Sequence, residues 1–117
     1  MPDNLPRDGL VAVVKHDCPT CVLAAPVLGA LARDTGLTVY TQDDPSFPET
    51  VPARVDDTAL DMSHRLKIEI VPTLIRFEAG REVGRTYGWD RGEWQRLTGV
   101  AGLGHDLPDA RRHRLRK

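Results

Sequence analysis

The stretch LVAVVKHDCPTCVLAAPVLGAL, Leu10 to Leu31, runs from an apolar, β-rich segment through Cys18-Pro19-Thr20-Cys21 straight into a helical pattern, with no linker between them. A sulfur at a helix N-terminus faces unpaired backbone N–H groups and the positive end of the helix dipole, and both favour the ionised, nucleophilic form of a thiol. Pro19 suits the first helical turn, where its missing N–H costs nothing and its φ is already helical. The spacing leaves Cys18 exposed and tucks Cys21 one turn in. A disulfide across so small a loop stabilises a fold by only about 2 kcal/mol, against roughly 4.7 for a hundred-residue loop, so the pair is read as a reagent rather than a staple.

The chain has 117 residues, which is one domain by size, with a formal net charge of −1 and 28% charged residues. That balance gives no global basic field, so nucleic acid is not an expected partner. No run reaches the ~18 apolar residues that would span a membrane. The start, MPDNLPRDGL, is acidic and proline-containing where a secretory signal is basic and then apolar, so a cytoplasmic location is expected.

Outward from the CPTC stretch, Met1–Asp8 reads as a polar, partly disordered leader, and Gly9–Lys15 as a central strand covered on both faces. The helix is expected from Pro19 to Arg33, stopped by Gly36 and kinked at Pro26. It carries no charge from Pro19 to Ala32, so its outer side is either a bland alanine face or a surface covered by another part of the chain, a partner or a second copy. Leu37–Thr41 reads as a strand, Gln42–Asp57 as a long acidic and proline-rich loop, functional or mobile, and Thr58–Leu66 as a short helix capped by Asp56 or Asp57 with Ala59, Met62 and Leu66 inward. Ile68–Phe77 holds a strand interrupted by Pro72, for which a cis Val71-Pro72 bond is expected. Ala79-Gly80 turns into a strand, Arg81–Tyr87, and Asp90-Arg91-Gly92-Glu93 has capping-box spacing for a helix that turns Trp94, Leu97 and Val100 or Ala101 inward. Trp89 and Trp94 read as core residues. The order predicts an α/β three-layer sandwich: a mixed four-stranded sheet with helices on both faces.

With CPTC after a strand, Pro26 five residues past Cys21, and VPTLIRFEAGREVGRTYG some fifty residues later with Gly80 and Gly88 in place, the chain resembles the thioredoxin superfamily over Gly9 to Ala101. The resemblance implies that Cys18 attacks a disulfide and Cys21 resolves the mixed disulfide. It implies further that Pro72 lies against the cysteines and frees the Val71 backbone to pair with an extended substrate strand. Asp17 and Pro19, which flank Cys18, complete the expected substrate-binding set.

The chain departs from the family in four respects. Asp17 replaces the usual tryptophan, Pro19 a glycine, and Ala12 the buried carboxylate that usually takes the proton of the resolving thiol. His16 is the nearest substitute for proton transfer. Lys15 and a protonated His16 favour a neighbouring thiolate and Asp17 disfavours it. The first strand and helix of full-length thioredoxins are absent, which predicts an open sheet edge available to a partner or dimer.

A zinc site begun by His16, Cys18 and Cys21 needs four ligands and finds no second CxxC or close His pair, so no metal is expected; no phosphate loop is seen, and no cofactor is expected. Gly102–Lys117, ending RRHRLRK, reads as a solvated basic tail. The expected function is a thiol-disulfide oxidoreductase that passes electrons to or from protein disulfides or a redox carrier. The alternative is a non-catalytic thioredoxin-fold binding or assembly module acting through the Pro19–Arg33 helix and the open edge.

Overall fold

In the computed structural model, which describes residues 7–107, the elements are β1 (Gly9–Val14), α1 (Pro19–Thr35), β2 (Thr38–Thr41), β3 (Val55–Asp56), α2 (Asp61–Arg65), β4 (Thr73–Glu78), β5 (Arg81–Tyr87) and α3 (Arg91–Thr98). β1 is the middle strand of the order β3-β2-β1-β4-β5. It runs parallel to β2, with Val11 opposite Thr38, and antiparallel to β4, with Val13 opposite Thr73. Its unbroken apolar run follows from that place. Leu10, Ala12 and Val14 enter one core with Val27, Leu28 and Leu31 of α1, while Val11 and Val13 enter a second core with Met62 and Leu66 around α2. A strand with helices over both faces has no side left for polar residues.

The sheet has five strands rather than the expected four. β3 pairs parallel with Tyr40 and Thr41 along the edge of β2 that the sequence left open. Two residues among prolines and acids carry no alternating pattern, which is why the strand is silent in the sequence.

The Gln42–Asp57 segment is a packed part of the domain, not a free loop. Phe47 and Val51 are buried in the α1 core, and the Thr50 hydroxyl donates to the Ala25 carbonyl at 2.6 Å. A Cβ on Gly29 would stand 2.7 Å from the Thr50 Cβ, so glycine is what allows the segment to lie on the helix. Cover for the uncharged Pro19–Ala32 stretch of α1 therefore comes from the chain itself.

The short helix starts at Asp61 rather than Thr58, and Ala59 is exposed instead of facing inward. Asp57 sets the start from outside: its carboxylate accepts the N–H groups of Met62 and Ser63, both at 2.9 Å, and the Ser63 hydroxyl at 2.6 Å. These are the donors that a helix start leaves unpaired. In α3, Asp90 accepts the Glu93 N–H at 3.2 Å, and buried Trp94 donates its indole N–H to the Gly88 carbonyl at 2.8 Å. Trp89 packs edge-on against Trp94, ring centroids 5.0 Å apart.

The ordered domain also continues past the boundary expected at Ala101. Leu103 is buried in the α1 core, and Arg91 Nε donates to the Gly104 carbonyl at 3.1 Å. Gly104, at φ +66, lies so close to Trp89 that a Cβ there would be 2.4 Å from the ring. At the other end, the Arg7 carbonyl and the Asp8 carboxylate accept the N–H groups of Gly80 and Ala79 in the β4–β5 turn, each at 2.9 Å. Most of the expected leader and the RRHRLRK sequence lie outside the described residues. Among the described residues, no helix is long and apolar enough to cross a membrane.

Candidate active site

β1 ends at Val14 and delivers the chain into a three-residue turn, Lys15-His16-Asp17, that sets Cys18 at the N-cap of α1. Cys18 has extended backbone angles, φ −158° and ψ 107°, and its sulfur accepts the Cys21 N–H at 3.2 Å. The cap position gives the sulfur an otherwise unpaired helix donor, a contact that also serves a sulfur anion. Cys18 is partly exposed, whereas Cys21 is fully buried, one turn in. Both are free thiols.

The two are electrostatically unlike. Burial pushes the Cys21 thiol well above its ordinary value of 9.0, and the contact with the Cys18 sulfur adds to the rise. The Lys15 backbone opposes this shift, while the charges of Cys18 and Asp43 reinforce it. Ala12, six residues before Cys18, is fully buried in the same core as Cys21 and brings no carboxylate to that thiol.

The Val71-Pro72 stretch comes to the cysteines from the start of β4. The Cys18 thiol faces the Val71 carbonyl at 3.7 Å, within reach for sulfur. The Val71-Pro72 peptide bond is cis, as is Phe47-Pro48, which the sequence reading did not identify. The Pro72 carbonyl accepts the Gly88 N–H at 2.8 Å and so ties this turn to the end of β5. Asp17 and Pro19 are both exposed beside Cys18. The structure thus brings Asp17, Cys18, Pro19, Cys21, Val71 and Pro72 to one end of the sheet.

The His16 side chain is exposed, its ring lies against Phe47 with centroids 5.0 Å apart, and its Nδ1 faces Asp44 at 3.8 Å. Its ring contacts are with the segment after β2. That segment supplies the residue that sequence reasoning missed: Asp43 accepts the His16 N–H at 2.7 Å and the Asp17 N–H at 2.9 Å. Partial desolvation works against its ionisation, but the backbone N–H groups of His16, Asp17 and Asp44 outweigh it and hold the carboxyl below its ordinary 3.8. The one available signal was positional, an acid just past a strand parallel to β1. Among the described residues, no group of three or more His, Cys, Asp or Glu side chains could hold a metal ion.

Solved structures with a similar fold include a secreted Mycobacterium tuberculosis disulfide oxidoreductase homologous to DsbE of E. coli, at 13% identity and TM-score 0.63, covering 80% of this chain and 81% of that one. A reduced thioredoxin pre-protein from Schistosoma mansoni matches at 20% identity and TM-score 0.56, covering 80% and 79%. Thioredoxin from Malassezia sympodialis matches at 17% identity and TM-score 0.54, covering 80% and 73%. No curated protein matches the chain. Residues 3–83 match the family described as TraF, F plasmid transfer operon protein. Matched across most of its length, the chain belongs to the TraF family, and its fold is thioredoxin-like.

Proposed function

We propose that this protein is a thiol-disulfide oxidoreductase acting on protein disulfides or a disulfide carrier. The observation that carries the reading is the asymmetry of the pair: a partly exposed Cys18 sulfur at a helix N-cap facing the Val71 carbonyl, over a fully buried Cys21. Cys18, ionised, attacks one sulfur of the substrate disulfide, forms a mixed disulfide and expels the other substrate sulfur as a thiolate. Cys21 then loses its proton and attacks Cys18, which breaks the mixed disulfide and expels the second substrate thiolate. Two electrons pass from the protein dithiol to the substrate, the two thiol protons balance the two substrate thiolates, and a dithiol donor of the thioredoxin-reducing class or a small thiol restores the enzyme. Run backward, the same steps oxidise a substrate dithiol. Val71, Pro72, Asp17 and Pro19 form the rim on which an extended substrate segment lies, with the Val71 backbone offering strand-like pairing.

Insulin reduction with dithiothreitol as donor tests the reading. Activity lost in Cys18→Ser, and mixed disulfides accumulating on Cys21→Ser, are the expected results. Turnover that survives Cys18→Ser would overturn it, and binding of partners with no turnover by the parent protein would favour the assembly-module reading.

A further inference from the structure

The exchange scheme leaves one carboxylate at the site without a role. Asp43 stands just past β2, and its two oxygens accept the His16 and Asp17 N–H groups separately, at 2.7 and 2.9 Å. The following residue is Cys18, whose own N–H turns back onto the His16 carbonyl at 2.7 Å. A side chain 26 and 27 positions along the chain thus ties down the two peptide units that lead into the attacking sulfur. Two bonds to one carboxylate fix an orientation, where a single bond leaves a rotation free. The neighbouring acid does not duplicate this, because Asp44 accepts from the Ser46 N–H at 2.9 Å and its hydroxyl at 2.6 Å.

We propose that Asp43 is a positioning residue of the CPTC centre: its carboxylate clamps the His16-Asp17 backbone, holds the dithiol ready to close and so favours the disulfide form. This rests on the exchange reading above. A turn that is already ordered loses less freedom when Cys18 and Cys21 join, which raises the effective concentration of one thiol at the other. Lys15, His16 and Asp17 before Cys18, and Asp44 beside Asp43, are ionisable side chains that the test leaves in place.

The test is the equilibrium of the full chain with glutathione. Glutathione disulfide takes two electrons from the protein dithiol, the Cys18–Cys21 bond forms, the glutathione S–S bond breaks, and the two protons end on two glutathione thiols. In Asp43→Ala the equilibrium constant for disulfide formation should fall about tenfold, the scale of one charge-assisted hydrogen bond. Asp43→Asn, which keeps one acceptor, should fall less, and Glu49→Gln, an exposed acid in the same segment, should stay within twofold of the parent. Thermal unfolding of the same samples separates a shifted equilibrium from a damaged fold, and the near-isosteric Asn variant keeps the test alive where Ala does not fold. Asp43 variants within twofold of the parent, or an equal shift in Glu49→Gln, would overturn the positioning role alone. A parent protein that forms no Cys18–Cys21 disulfide at any glutathione ratio would overturn both this role and the exchange reading.

Discussion

Replacing Gly29 by alanine should destabilise this protein, although helix propensity alone predicts the reverse. Gly29 lies in the middle of α1, and alanine in a helix interior is favoured over glycine by about 1 kcal/mol. Against that, the new Cβ would stand 2.7 Å from the Thr50 Cβ and 2.9 Å from the Thr50 carbonyl oxygen. Neither contact is with the free end of a flexible side chain. The segment cannot easily retreat, because Val51 is 2% exposed in the core and the Thr50 hydroxyl is bonded to the Ala25 carbonyl at 2.6 Å. Overpacking of this kind costs about 1–3 kcal/mol, and displacing Thr50 forfeits a hydrogen bond of about 1 kcal/mol. Set against the propensity gain, the net loss is about 1–3 kcal/mol. For a domain of this size that is a fall in Tm of roughly 5–15 °C. Urea and thermal unfolding followed by the fluorescence of the buried Trp89 and Trp94 read it directly. Thr50→Val, which keeps the shape and removes the hydroxyl, should lose about 1 kcal/mol. A Gly29→Ala protein more stable than the parent would refute the packing of this segment on α1.

The reduced protein should lose stability as pH rises above the ordinary thiol value of 9.0, because Cys21 is held protonated in the fold and ionises freely once unfolded. A raised folded-state pKa gives stability that is complete below the unfolded value and lost as pH rises toward the folded one, with a slope of at most about 1.4 kcal/mol per pH unit. Urea unfolding of the parent and of Cys21→Ala across that window should give the steeper fall in the parent, and parallel curves would contradict the assignment. Asp57→Ala leaves the Met62 and Ser63 N–H groups without their acceptor and should cost about 2 kcal/mol in the same assay; a loss below about 0.5 kcal/mol would mean that the carboxylate does not organise α2. Brief treatment of the folded, reduced protein with iodoacetamide should label Cys18 and spare the buried Cys21, as read by peptide mass spectrometry, and equal labelling would remove the asymmetry on which the mechanism depends.

Regular elements with strong local patterns were legible in the sequence. β1, the stop of α1 at Gly36, the Ala79-Gly80 turn and the Asp90 cap each lie within a few residues of their expected places. They were legible because their signals are local: a continuous apolar run, a glycine in the left-handed region, an acid three residues before the N–H it caps. β3, the true start of α2 and the packing of Gln42–Asp57 were not. β3 and the packed segment depend on partners distant in sequence, as Val55 does on Tyr40 and Thr50 on Gly29, while Asp57 caps α2 across an irregular turn, five and six residues before the N–H groups it accepts.

Within the site the division is the same. By itself, the sequence determined that two cysteines one helical turn apart begin a helix after a buried strand, and that Pro72 opens a later one, since spacing and backbone chemistry operate between neighbours. Only the tertiary structure decided that His16 turns to Phe47 and Asp44, that Asp43 holds the turn before Cys18, and that Val71 faces the sulfur. Those contacts exist because parallel β1 and β2 end side by side and antiparallel β4 begins at the same edge. Residues some 26 to 53 positions apart become neighbours there, and no local pattern in a single sequence encodes which of them will meet.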